Sequence, residues 1–414
     1  MRLPLRKLLE RAELREHRKI KPSGLGFSFS DRIAYVDPAR WDAVTAGASL
    51  FLQRRFLAAL DAARPENVEP RYVMVFDGGQ PVAALVCQIV SVEAGRLAKN
   101  RKKARGRGQV LRRALRPVVD RVGHALSERI VVCGNLLSWG CHGIAVAPGA
   151  DAARVWPAVS EALYRLRRAE RLSGEADFTL VKDITKAEHG GYAHLAVSGF
   201  RRVPTEPNMV LTLAPGWRTY EDYLASLDGK YRKSARQIGK DIEAAGCVVE
   251  PLRVGVATAR LHELYLSVQE NNRLRLVTAP AAYLAALEAA LGDDFRCTVV
   301  RQGEALLGFV VTLRDGERAI GYHIGFDRVL SQGLPVYLRL LHAVVSDALA
   351  LGCRDISLGR TALEPKARLG ARPEPFEVWV KHRAPGLSAL LGGLLSAIPH
   401  AEAPERNPFK AKPR

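Results

Sequence analysis

The chain is poor in the residues that build disulfide or metal frameworks. Its 414 residues include six cysteines: Cys87, Cys133, Cys141, Cys247, Cys297 and Cys353. None forms a Cys-x-x-Cys pair or shares ligand spacing with a histidine. A disulfide scaffold and a zinc site are therefore excluded, no metal is expected, and the thiols fit a reducing compartment. The chain also lacks an apolar run of about 18 residues and opens on no secretory signal, so a cytoplasmic protein that does not span a bilayer is expected. Acid is scarce: 43 Asp and Glu face 62 Lys and Arg, a net charge of +19. That imbalance favours anionic partners, whether nucleic acid, acidic phospholipid or a phosphorylated substrate, and does not choose among them.

What the chain does have is internal repetition. Phe56-Leu-Ala-Ala-Leu-Asp-Ala-Ala63 returns as Tyr283-Leu-Ala-Ala-Leu-Glu-Ala-Ala290, identical at six of eight positions. Ala- and Leu-rich helices resemble each other by chance, so the order of the following elements carries more weight. Each copy precedes two β-branched runs joined by a Gly-containing turn, a hairpin signal. The pairs are Arg71–Phe76 with Pro81–Val90, and Arg296–Arg301 with Ala305–Leu313. A Gly-rich strand, a helix (Ala153 to Ala169, Leu334 to Leu351) and a strand (Phe178–Ile184, Asp355–Gly359) follow in both halves. A tandem duplication of two α/β domains, with mixed sheets, accounts for this shared order. The expected boundaries are a basic extension 1–24, a first domain 25–215, a second domain 216–400 and a tail 401–414.

The first half carries an insertion of about 35 residues, at about 94–129, longer than common connections. Ten Lys or Arg and no acid lie between Arg96 and Arg116. Its basic amphipathic pattern suits an anionic membrane surface. It contains no aromatic residue for stacking on bases. The N-terminus (Leu5, Leu8, Leu9, Ala12 among basic residues) and the Leu387–Ile398 stretch show similar amphipathic spacing. Peripheral association with the inner face of the membrane is one expectation; a solvated loop or RNA binding by the insertion, and a Leu387–Ile398 helix packed on the second domain, are the alternatives, and DNA is not an expected partner.

The second half opens on Tyr223-Leu-Ala-Ser-Leu-Asp-Gly-Lys230-Tyr-Arg232 and a basic helix, and closes on Gly359-Arg360-Thr361, Lys366 and Leu369-Gly370-Ala371. These stretches resemble the acetyltransferase-like domain of the GNAT superfamily, in the version related to Fem-type peptidoglycan-bridge transferases, which hold two such domains in tandem. The resemblance covers most of residues 216–383 and, more weakly, the first half. It implies two tandem GNAT-like domains and an acyltransferase. The implied donor is an acyl thioester, with acyl-CoA as co-substrate or an acyl-carrier protein in its place. The implied acceptor is an amine of a lipid or envelope component, a sphingoid base (as in bacterial ceramide synthases) among them. A Fem-type aminoacyltransferase that uses aminoacyl-tRNA, and a non-enzymatic membrane-binding scaffold, are the alternatives.

Site residues follow. The family binds the coenzyme A pyrophosphate at a helix N-terminus, which here corresponds to Gln332, Gly333 and Leu334 before Pro335. Free N–H groups there attract phosphate, although the stretch departs from the family's Arg/Gln-x-x-Gly-x-Gly/Ala pattern and leaves other donors open. His323, on the strand Gly321–Phe326, is the candidate base. Tyr337 is the candidate acid, preferred over Tyr322 because neighbours on a strand face opposite sides unless a bulge intervenes. Lys366 is the third catalytic candidate; with Arg360, assigned to donor binding, it is suited to an anionic acceptor or a developing oxyanion. Lys230, Arg236, Asn271, Arg273, Trp139 and His142 are the acceptor-binding candidates.

Overall fold

The computed structural model describes residues 21–92, 129–140, 142–185, 189–269, 276–384 and 404–410. The basic insertion, the N-terminal amphipathic segment and the Leu387–Ile398 stretch lie outside these residues, as do Asn271 and Arg273. The first half runs β1 (Gly26–Ser30), α1 (Pro38–Thr45), α2 (Arg54–Ala62), β2 (Val68–Asp77), β3 (Gln80–Ser91), β4 (Arg129–Cys133) and β5 (Ile144–Val146). It continues with α3 (Ala152–Ala169), β6 (Ala176–Thr185), α4 (His189–Val197), β7 (Arg201–Pro204) and β8 (Asn208–Thr212). The second half runs α5 (Tyr220–Ser226), α6 (Gly229–Ala244), β9 (Cys247–Pro251), α7 (Thr258–Gln269), α8 (Tyr283–Leu291), β10 (Phe295–Gln302), β11 (Ala305–Asp315) and β12 (Arg318–Phe326). It ends with α9 (Val336–Ala350), β13 (Asp355–Ser357), α10 (Leu363–Arg368), β14 (Arg372–Glu374) and β15 (Phe376–His382).

These elements form two mixed sheets of matching order. The first reads β1-β2-β3-β4-β6-β15-β7, with β5 also on β3; the second reads β9-β10-β11-β12-β13-β8-β14. The sixth strand of each sheet comes from the other half. β15 enters the first sheet between β6 and β7, and β8 enters the second between β13 and β14. A boundary at 215 thus separates β8 from the sheet in which it pairs, a crossing that element order alone does not reveal. The two hairpins match in detail, each with a register shift at Val75/Phe76 or Val300/Arg301.

The repeated octapeptides meet. α2 and α8 lie in one apolar core that runs between the halves, with Phe56, Leu57 and Leu60 on one side and Tyr283, Leu284 and Leu287 on the other. Alternation of Leu with Ala keeps the buried faces close, and burial of such side chains contributes about 25 cal/mol per Å². Polar ties flank this core: Arg55 Nη2 bonds Asp294 at 2.6 Å, and Ser49 Oγ donates to Asp315 at 2.7 Å. Each sheet's other face is covered by its own crossover helix, α3 in the first and α9 in the second.

Trp379 of β15 is buried in the first half's core, opposite Val181 of β6. Trp379→Ala is therefore expected to cost about 3–5 kcal/mol. Hydrogen exchange should rise in β6, almost two hundred residues away in sequence, and not in β10 or β11. Unchanged protection of β6 would contradict the strand exchange.

Candidate functional site

β12 and β13 pair for three residues only, Arg318–Ile320 against Asp355–Ser357. Past Ile320 the strands part, because β12 stays on β11 while β13 ends. A cleft of about 490 Å³ opens in this gap. One wall is apolar: Val310 and Ile324 from the sheet, Leu341 and Val344 from α9, with Phe326 and Tyr337 toward the mouth. Glycines let α7 and α9 approach closely. A Cβ on Gly325 would stand 2.5 Å from the Leu264 backbone, and one on Gly321 3.2 Å from Val344.

The sequence puts Tyr322 and His323 on opposite faces unless the strand bulges, and it does. Val311 pairs with His323 while the next residue, Thr312, pairs with Gly321, which leaves Tyr322 as the extra residue. A β-bulge re-aims side chains in this way. Both rings consequently line the cleft, with centroids 4.2 Å apart. Tyr322 Oη shares a 2.6 Å hydrogen bond with Tyr283 Oη, and burial pushes both phenols above their usual range. His323 is buried, and its Nε2 has no hydrogen-bond partner among the described residues. Burial pushes its pKa down to about 3. The expected base is therefore a neutral, weakly basic imidazole. Tyr337 also lines the cleft; burial raises it to about 12, so its hydroxyl stays protonated.

Opposite these rings lies a cationic wall. Arg360 and Lys366 both line the cleft. Lys366, on α10, is 4% exposed, and its ammonium has no hydrogen bond or ion pair to another described residue. Burial lowers its pKa to about 7, only partly offset by Glu206. Arg360 donates from Nη1 to Asp183 Oδ1 at 2.8 Å. Asp183 is fully buried at the end of β6, in a left-handed conformation (φ 55°). Its other oxygen accepts from Lys182 Nζ at 2.5 Å and from the Gly140 amide at 3.2 Å. Burial alone would raise its pKa, but Lys182 and Arg360 outweigh that and hold it below the usual range. One carboxylate of the first half thus fixes a cation in the cleft of the second.

Trp139 completes the cleft. Its Nε1 donates to Ser357 Oγ at 2.8 Å, and its ring covers Gly359, where a Cβ would stand 3.2 Å from it. Ser357 Oγ and the Gly359 amide both donate to Asn208 Oδ1, at 3.0 Å each. His142 does not line the cleft. It is buried, stacks on Phe51 at 4.3 Å, and its Nε2 bonds the Trp139 carbonyl at 2.8 Å. Its role is to hold the loop that presents Trp139, and burial depresses its pKa to about 4.

Other expected residues stand apart. Lys230 and Arg236 are exposed on α6, whose buried side is Ala235 and Ile242, so that basic stripe is a solvated face. Gln332, Gly333 and Leu334 form the turn into α9 and do not line the cleft; Gly333 needs its glycine at φ 80°, and Leu334 packs on the core. No side chain caps α9. Asp183, Tyr283, Asn208 and Ser357 were not expected. The adjacent charges Lys182-Asp183 inside an apolar strand were the one signal for Asp183. Among the described residues no cluster of His, Cys, Asp or Glu is arranged for a metal, and no helix is long and apolar enough to cross a membrane.

Residues 229–367 match the family model described as the acetyltransferase (GNAT) domain. Comparison with curated protein sequences finds no match. Among solved structures, FemX is similar with a TM-score of 0.53 at 11% identity, covering 88% of this chain and all of its own. A tandem GNAT protein from the clavulanic acid pathway gives a TM-score of 0.48 at 14% identity, covering 87% of this chain and 98% of its own. The C-terminal domain of a putative lysylphosphatidylglycerol synthetase from Agrobacterium fabrum gives 0.47 at 11% identity, covering 86% of this chain and 95% of its own. Residues 229–367 thus match a GNAT domain, and the chain as a whole has a FemX-like fold built from two sheets of matching strand order.

Lys366 yields a stability test. Its folded pKa, about 7, lies below the unfolded value of 10.5. The cost of burying its charge is thus fully present below pH 7 and disappears as pH rises toward 10.5. Lys366→Met should stabilise the protein by roughly 3–5 kcal/mol at pH 6, at about 1.4 kcal/mol per pKa unit. The gain should shrink at pH 9.5 in chemical denaturation, well above the folded value of about 7. An equal gain at both pH values would refute the depressed pKa.

Proposed function

We propose that the protein is an N-acyltransferase that moves an acyl group from a thioester, acyl-CoA or an acyl-carrier protein, to the amine of a lipid or envelope acceptor. The observation that carries this reading is the bulge at Tyr322, which turns His323 into the same cleft as Tyr337 and Lys366. The apolar wall supports an acyl thioester as donor rather than a polynucleotide, whose recognition calls for cations and exposed aromatic rings.

In this reading the amine nitrogen attacks the thioester carbonyl carbon and a C–N bond forms. The C–S bond then breaks, and the proton lost by nitrogen ends on the departing sulfur. His323 Nε2 accepts the amine hydrogen as the bond forms. The Tyr337 hydroxyl donates a hydrogen bond to the leaving sulfur. Lys366 supplies positive charge, which is worth most where water is excluded. The protein is expected at an anionic membrane surface, where its charge would favour docking.

The test is incubation with acyl-CoA of several chain lengths and amine lipids, including a sphingoid base, with thiol release measured. His323→Ala should lower kcat about 100-fold or more. Because Lys366 acts here as a cation, its contribution should fall as pH rises through about 7. The kcat/KM ratio of wild type to Lys366→Arg should therefore decline between pH 6 and 9, the guanidinium staying charged. Turnover with aminoacyl-tRNA and with no thioester would reject the reading.

A further inference from the structure

The cationic wall of the cleft has a structural peculiarity that acyl transfer alone does not require. Arg328, Arg360 and Lys366 line it, and no carboxylate is among the lining residues described. The buried Asp183 of the first half holds Arg360 from behind, and the exposed Glu206 is the one acid among the described residues that acts on Lys366. Asp183 spends one oxygen on Arg360 and the other on Lys182 and Gly140. Asp183 takes only Nη1, so Nε and Nη2 of Arg360 keep their donors, and the guanidinium lines the cleft. Lys366 is nine-tenths buried, faces the same space and has no partner among the described residues. Burying an ammonium without a counter-ion is costly. The backbone between the two cations is strained as well: Ala362, a non-glycine, sits in the left-handed region at φ 53°, just before α10. Strain of this kind persists where surrounding structure imposes it, and it clusters at ligand sites.

We propose that Arg360 and Lys366 form a subsite for a phosphate group carried by the acceptor, with Asp183 as the residue of the first half that positions Arg360. This deepens the acyl-transfer reading and rests on it for the word acceptor. The substrate class is then an amine that bears a phosphate ester. A planar guanidinium and a point-charge ammonium together offer several donors, which suits three phosphate oxygens better than the two of a carboxylate. An anion seated here would keep Lys366 charged at neutral pH and would raise the basicity of the neighbouring imidazole of His323. Binding the acceptor would thus prepare the group that takes its proton. The phosphate can belong to a membrane headgroup or to a soluble phosphoester, and the two are separated below.

The experiment is calorimetric titration of the full chain with inorganic phosphate, phosphoethanolamine, ethanolamine and acetate, without donor. Phosphate and phosphoethanolamine should bind saturably and at least about tenfold tighter than acetate or ethanolamine, a difference of about 1.4 kcal/mol. Arg360→Gln and Lys366→Met should each lose at least that factor, whereas Arg201→Gln, an exposed cation outside the cleft, should bind as wild type does. No saturable phosphate binding, or equal loss in Arg201→Gln, overturns the subsite; the wild-type titration decides this even if a cleft variant fails to fold. Displacement of phosphoethanolamine by phosphatidylethanolamine vesicles supports a headgroup source, and its absence with intact phosphate binding supports a soluble one. Binding without thioester turnover would leave the subsite standing while the acyl-transfer reading falls. Equal kcat/KM for ethanolamine and phosphoethanolamine, with no phosphate binding, would do the reverse.

Discussion

The exchange of β8 and β15 is the constraint on which the rest of the molecule depends. Each sheet takes its sixth strand from the other half, so neither sheet is complete without the whole chain. A two-domain protein joined only by a linker and a polar interface is free to flex. Here, separation would cost two rows of ladder hydrogen bonds and the apolar core shared by α2 and α8. That rigidity allows a side chain of one half to serve as a wall in the cleft of the other. Trp139 over Gly359 and Asp183 on Arg360 both need their partner held within a few tenths of an ångström.

The electrostatics of the cleft run against stability. A lysine pushed down to about 7 and a histidine to about 3 are groups that would be less perturbed in water. Among the described residues no acid pairs with Lys366, and the buried carboxylate of Asp183 goes to Lys182 and Arg360. Perturbed groups gathered in one cleft mark it as a candidate site. Val310, Leu341 and Val344 pack in the apolar core beside it.

Much of this architecture was legible in the sequence because it depends on local pattern. Hairpins, crossover helices and their order follow from β-branched runs, Gly-containing turns and helical spacing, and the GNAT resemblance falls on the residues that build the cleft. The GNAT resemblance pointed to His323, Tyr337 and Lys366, and all three line the cleft. The strand exchange was not legible, since β8 and β15 read as good strands whichever sheet receives them. Helical spacing says that Lys230 and Arg236 share a face and cannot say which way it points; the face is exposed. A polar residue among glycines reads the same whether it lines a cleft or holds the loop beside it, and His142 packs behind Trp139.

The bulge ties these threads together, for it has a counterpart. In the first half, Val86 occupies the ladder position that Val311 holds in the second. Its neighbours are Gly134 and Gly143, to which it is joined by hydrogen bonds of 2.9 Å on both sides. The residues between them leave the sheet, and the strand resumes as β5. Where β12 accommodates one extra residue, the first half accommodates a whole loop, and that loop carries Leu136, Leu137, Ser138 and Trp139 into the second cleft. A single residue at this position turns a strand's own side chains into a cleft; a longer excursion fills the first half's own gap and reaches the neighbour's. The asymmetry of the two halves therefore needs no difference in fold. It follows from how many residues are inserted at one point of the same ladder, and it brings the first half into the cleft of the second.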